Sequence, residues 1–185
     1  MFRAIALRLA FYINKLKYRH VRFIGRSILF AFHGSRIRIG NNTTIVSRFE
    51  SNLAGLYQRC IIVARYGGCV EIGENCGISG STIYSYDRII IGNFTRVGAN
   101  CKIIDNDFHP IELQYRHDGL NEQYTHRAPI TIGEDCFIGM NSIILKGTTL
   151  GNNVIVGAGS VVHGCFPDNC VIAGNPAKII KMIDK

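Results

Sequence analysis

Ile130-Thr131-Ile132-Gly133-Glu134-Asp135-Cys136-Phe137-Ile138-Gly139-Met140-Asn141-Ser142-Ile143-Ile144-Leu145-Lys146-Gly147-Thr148-Thr149-Leu150-Gly151-Asn152-Asn153-Val154-Ile155-Val156 repeats every six residues. Ordinary strands alternate with period two and helices with 3.6, so neither gives this pattern. The aliphatic positions run Ile132, Ile138, Ile144, Leu150, Val156 and on to Val162, and glycine follows at Gly133, Gly139, Gly151 and Gly157. Upstream the same frame returns at Ile39/Ile45, Ile72/Ile78 and Ile91/Val97/Ile103.

A second slot keeps phase with the first. Two places before each aliphatic residue stands a compact one: Thr43, Cys76, Thr95, Cys101, Cys136, Ser142, Thr148, Val154 and Ser160. Each hexapeptide therefore reads as one short strand and a turn, and three make a triangular coil of about 18 residues. Coils stack at the strand spacing of about 4.8 Å. Both slots point to the axis, while Gly and Asn supply the left-handed conformations that sharp corners need. The fold class is all-β, a parallel β-helix that must be capped at its ends.

Around this core the 185 residues suit one domain, and the net charge of +8 is regional. Met1 to Phe49 hold ten of the 21 Lys/Arg and no acid, whereas the remainder is slightly acidic. That distribution argues against a nucleic-acid groove along the body. No apolar run approaches the roughly 18 residues needed to cross a bilayer. The seven cysteines form no C-x-x-C, no secretory leader is recognisable, and Cys76, Cys101 and Cys136 fall in the compact slot. They read as reduced packing residues of a cytoplasmic protein.

Between Ile103 and Ile130 the period fails, and this polar, aromatic stretch holds His109, His117 and His126. It is too long for a corner and must leave the solenoid, and such excursions often carry function. At the other end, Phe2, Ile5, Leu9, Ile13 and Leu16 are spaced for one face of a helix, with Arg8, Lys15, Arg19 and Arg22 towards another. This segment reads as a helical cap on the first coil; alternatively it lies on an anionic membrane surface, at the inner face. The expected divisions are a cap over 1–36, the β-helix over 37–172 with an excursion at 104–131, and a tail over 173–185.

The repeats, the segment Asp105-Asn106-Asp107-Phe108-His109-Pro110 and the ending Gly174-Asn175-Pro176-Ala177-Lys178 together resemble the hexapeptide-repeat acyltransferases. The branch they resemble contains the galactoside and maltose O-acetyltransferases and enzymes of surface-polysaccharide biosynthesis. The likeness covers about Ile37 to Lys181, and it alone implies a left-handed helix, since general topology favours right-handed crossovers. It further implies acetyl transfer from acetyl-CoA to a saccharide hydroxyl, without a metal, in a homotrimer whose site lies between neighbours.

In the resembling enzymes the histidine before proline is the base, which matches His109; imidazole titrates near working pH and suits the task. Asp105 and Asp107 are candidates to fix its tautomer, Asp107 slightly preferred, although either could instead bond the backbone as a turn-former. Corner amides near Gly139 are candidate oxyanion donors. The resemblance places Gly139, Met140, Ala158 and His163 along the pantetheine arm of coenzyme A, and Lys178 and Lys181 near its phosphates. The acceptor side is assigned to Ser81, Asp105 and Phe137. Here the chain departs from the pattern: the galactoside and maltose enzymes have Trp in place of Phe137 and an acceptor-binding Asn where an ungapped match puts Gly80. The acceptor is therefore not carried over. Three other activities remain open: N-acetylation of an amino sugar, a zinc site of the γ-carbonic-anhydrase type (poorly matched by the spacing of His109, His117 and His126), and a non-enzymatic solenoid.

Overall fold

The computed structural model describes residues 16–32, 34–117, 119 and 121–184. Leu16–Tyr18 (β1), Arg22–Ile24 (β2) and Ile28–Ala31 (β3) make the first coil. Arg36–Ile39 (β4), Thr44–Val46 (β5) and Ile61–Ala64 (β6) make the second, and Cys69–Ile72 (β7), Gly77–Ser79 (β8) and Thr82–Ser85 (β9) the third. The fourth is Arg88–Ile91 (β10), Arg96–Ala99 (β11) and Lys102–Ile104 (β12); the fifth is Ile130–Ile132 (β13), Phe137–Ile138 (β14) and Ile143–Leu145 (β15). Thr149–Leu150 (β16), Ile155–Val156 (β17) and Val161–Val162 (β18) complete the sixth. Cys165–Phe166 (β19) and Cys170–Gly174 (β20) open a seventh, and Ala177–Met182 (β21) folds back antiparallel on β20.

Every third strand joins one sheet, which gives three faces: a first running from β1 to β19, a second from β2 to β21 and a third from β3 to β18. All pairings along the faces are parallel except the terminal hairpin. Register puts like on like. Ile39, Ile72, Ile91, Ile132 and Leu150 stack on the first face, and Leu29, Ile62, Ile83, Ile103, Ile144 and Val162 on the third. These columns form the core, almost wholly removed from solvent. At the first-to-second corner, Asn42, Asn75, Asp135, Asn153 and Asn169 adopt positive φ, as the hexapeptide turns require. The corner glycine is sterically fixed: a Cβ on Gly133 would stand 2.4 Å from the Gly151 carbonyl oxygen of the next coil.

The compact slot is more widely used than the repeat alone indicated. Besides Cys76, Cys101 and Cys136, it holds Cys60 and Cys170, two places before Ile62 and Ile172. All seven cysteines are free, and burial pushes the Cys60, Cys76, Cys101 and Cys136 thiols above their ordinary pKa.

Two expectations are corrected at the N-terminal side. Residues 16–31 are three short strands, not a helix or a cap, so the solenoid has already begun at Leu16 rather than at Ile37. Phe23 and Leu29 are spaced by six and follow Val21 and Ser27 by two, which is the repeat itself. The expected helical face at Phe2, Ile5, Leu9 and Ile13 lies outside the described residues. Among the described residues no helix is long and apolar enough to cross a membrane.

Candidate active site

Two long insertions leave the coils. The expected one departs after β12 at the third-to-first corner and returns at β13, with two short helices, Leu113–His117 (α1) and Asn121–Tyr124 (α2). Its root is rigid. The Asp105 carboxylate is fully buried and accepts from the Ser85 hydroxyl at 2.6 Å and from the Tyr86 and Asp87 N–H groups at 2.7 and 3.0 Å. Phe108 packs edge-on against Tyr84, ring centroids 5.0 Å apart.

His109 leaves this root exposed. Its N–H donates to the Asp107 carbonyl oxygen at 2.7 Å, and among the described residues its ring has no hydrogen-bond partner. The Asp107 carboxylate does not orient the imidazole as expected: Oδ1 accepts from Lys146 Nζ at 2.6 Å, and Oδ2 is buried without a partner among the described residues. Lys146, which ties the excursion to the corner of the fifth coil, was not singled out by the sequence. His126 Nε2 lies 3.6 Å from Glu112 Oε1, and His117 ends α1 on the surface. No group of three His, Cys, Asp or Glu side chains among the described residues could hold a metal ion.

The acceptor assignments need correction. Ser81 is an inward slot residue, wholly buried, whose hydroxyl donates towards the Ser79 and Gly98 carbonyls and accepts from Cys101 N–H. Asp105 is the turn-former of the two readings, with its oxygens already engaged. Neither side chain is open to a ligand. Phe137 is exposed, on the second face between Arg96 and Ile155, away from the corner that bears His109.

The arm residues divide between two corners. At the second-to-third corner, Gly98, Gly139 and Gly157 stack: a Cβ on Gly98 would lie 2.8 Å from Met140 N, and one on Gly139 2.5 Å from Ala158 N. Met140 is half-buried and Ala158 exposed along this side-chain-poor edge. The Gly139 N–H is spent on the Val156 carbonyl at 2.8 Å, which removes it as an oxyanion donor. His163 stands instead at the third-to-first corner, near Gly147, below the excursion. Lys178 and Lys181 are exposed on β21, opposite Ala173 and Val171 at the end of the second face.

A second insertion, Ser47–Cys60, was not anticipated. It leaves between β5 and β6, at the same corner as the glycine stack, and drapes over the corners of the third and fourth coils. Asn100 pins it, accepting from Tyr57 N–H at 3.2 Å and donating to the Gly55 carbonyl at 2.9 Å.

The three-faced stack of hexapeptide coils, interrupted by a histidine-bearing excursion, is the architecture of the hexapeptide-repeat transferases. Residues 129–163 match the family model described as the hexapeptide repeat of succinyl-transferase. A putative acetyltransferase of Dictyostelium discoideum is 35% identical over 159 residues, 85% of this chain and 81% of that protein. Galactoside O-acetyltransferase of Escherichia coli is 34% identical over 125 residues, 64% of this chain and 57% of that enzyme. Among solved structures, a maltose O-acetyltransferase from Clostridium difficile 630 superposes with a TM-score of 0.55 at 27% identity, covering 99% of this chain and 75% of that one. The chain belongs to the hexapeptide-repeat acetyltransferase family, and its solenoid is the left-handed β-helix of that family. It spans little more than half the length of several curated relatives.

Proposed function

We propose that this chain transfers an acetyl group from acetyl-CoA to a hydroxyl of a saccharide or polysaccharide precursor, with His109 as general base. The observation that carries the reading is the way His109 is presented: a backbone locked by Asp105 and Asp107, and an imidazole without a hydrogen-bond partner among the described residues. A neutral imidazole takes the hydroxyl proton as the oxygen attacks the thioester carbonyl; the C–O bond forms, the C–S bond breaks, and His109 returns the proton to the departing sulfur. The thioester supplies the electrophilic carbon. Exposed Ala158 and Gly159 on this edge support a long thin ligand arm, because they carry little or no side chain, whereas Gly98, Gly139 and Gly157 are required by the coil packed against them. Lys178 and Lys181, exposed on β21 at the end of the second face, are the cations proposed to meet the coenzyme A phosphates.

Within one chain His109 and the glycine edge lie on opposite sides of the third face. One outward column is apolar, Phe30, Val63, Tyr84, Ile104 and Leu145; the other, Ile28, Ile61, Thr82, Lys102 and Ile143, is aliphatic except for Thr82 and Lys102. Ile28 and Phe30 remain 45% and 38% exposed, which supports burial of this face against another copy. A homotrimer would then bring the His109 corner of one copy to the glycine edge of the next.

Two measurements test the activity. Acetyl-CoA should raise the thermal midpoint in a concentration-dependent way, because it binds only the native state. His109→Ala should keep that shift and lose roughly two to four orders of magnitude in turnover. Near-normal turnover in the variant would place the base elsewhere.

A further inference from the structure

Lys102 opens β12 on the third face, in the column Ile61, Thr82, Lys102, Ile143. Its ammonium is half-buried and has no carboxylate partner among the described residues. Nζ donates to Gln58 Oε1 and, at 3.4 Å, to Thr82 Oγ1, both neutral acceptors. Burial in this aliphatic column lowers its pKa, the mark of a cation short of compensation.

The Ser47–Cys60 insertion builds the rest of the cluster. Gln58 Nε2 donates to the Gly80 carbonyl at 2.7 Å and to Thr82 Oγ1 at 3.1 Å, so the amide is fixed with its oxygen towards Lys102. The Tyr57 ring lies 5.8 Å from Nζ and is 66% exposed. At Gly80 itself there is no room for a side chain: a Cβ would meet Leu56 Cδ2 at 2.8 Å and the Gln58 carbonyl oxygen at 2.9 Å. The insertion thus fills the Gly80 corner and offers Lys102, Gln58 and Tyr57 just beyond it, one coil from Gly139 and Met140.

We propose that Lys102, Gln58 and Tyr57 form the acceptor subsite and that it takes an anionic saccharide, bearing a carboxylate or a phosphate. The anion supplies the charge that Lys102 lacks, through a charge-assisted hydrogen bond, and the exposed aromatic ring gives a flat surface for the sugar. The word acceptor rests on the acetyl-transfer reading; the binding of an anionic sugar does not.

The test uses full-length protein and three sugars differing only at C6, in both the gluco and galacto series: the neutral hexose, the uronate and the 6-phosphate. Calorimetric titration should give an anionic member about tenfold tighter binding than its neutral parent. Uronate against 6-phosphate tells which anion is meant. The preference should vanish in Lys102→Met and survive in Lys102→Arg, while acetyl-CoA binding stays unchanged in both. Lys102→Met should move the thermal midpoint by no more than a few degrees, since it removes a half-buried cation without a carboxylate partner and in turn frees the Gln58 amide oxygen. Equal binding of neutral and anionic sugars, a preference that persists in Lys102→Met, or no sugar bound at tens of millimolar overturns the proposal. A loss of acetyl-CoA affinity in Lys102→Met with the sugar preference intact overturns it too, by making Lys102 a donor contact. Absence of any acetyl-CoA shift in the wild type, with the sugar preference present, sinks acetyl transfer alone.

Discussion

Asp105 and Asp107 lie two residues apart on either side of Asn106, yet they have different partners and different consequences. Asp105 accepts from one hydroxyl and two backbone N–H groups in a site closed to water. Asp105→Ala would strand the Tyr86 and Asp87 N–H donors, each costing about 1–3 kcal/mol, while the Ser85 hydroxyl can turn to the Cys69 carbonyl. Chemical denaturation should therefore register a loss of about 3 kcal/mol or more, with any fall in turnover following from the loosened excursion. A loss under 1 kcal/mol would mean that water or a neighbour replaces the carboxylate. The sequence could not tell the two aspartates apart because what separates them is remote. Ser85 is 20 residues before Asp105 and Lys146 is 39 after Asp107, and only coil stacking brings them together. His109 was legible because its signal is local, a histidine before proline within a run of turn-forming residues.

At the scale of elements, the strict hexapeptide phase located the coils from Arg36 onwards and the departure of the excursion at β12. It missed the first coil because Leu29 to Ile39 spans ten residues, and because basic residues among aliphatics also suit an amphipathic helix. The Ser47–Cys60 insertion was lost in a gap between Ile45 and Ile62, although Cys60 stood in its proper slot. The second-to-third edge is where these elements matter for chemistry, since the insertion ends where the glycine stack begins. Ala158 is exposed on that edge, so Ala158→Phe puts a bulky side chain on the proposed course of the donor arm without entering the core. It should weaken acetyl-CoA binding at least about tenfold, a loss of roughly 1.4 kcal/mol, while the thermal midpoint of the free protein stays within a few degrees. Unchanged acetyl-CoA affinity would move the donor arm off this edge.

At the scale of the molecule, periodicity specifies the interior of a solenoid and says nothing about which outer face is shared. The third face is the candidate proposed above: it carries one apolar column and one that includes Lys102, and it runs from the His109 excursion at one edge to the glycine stack at the other. If copies meet there, each catalytic unit takes His109 from one chain and the donor channel from its neighbour, and two inactive variants must complement each other. His109→Ala keeps the channel and Ala158→Phe keeps the base. Co-refolded in equal amounts, three-quarters of random trimers are mixed and each mixed trimer holds one intact site in three, so roughly a quarter of wild-type activity should return. Native mass spectrometry must confirm the mixing. Mixed trimers without activity would place His109 and the channel in the same chain, and would require the donor arm to cross the third face rather than follow its edge.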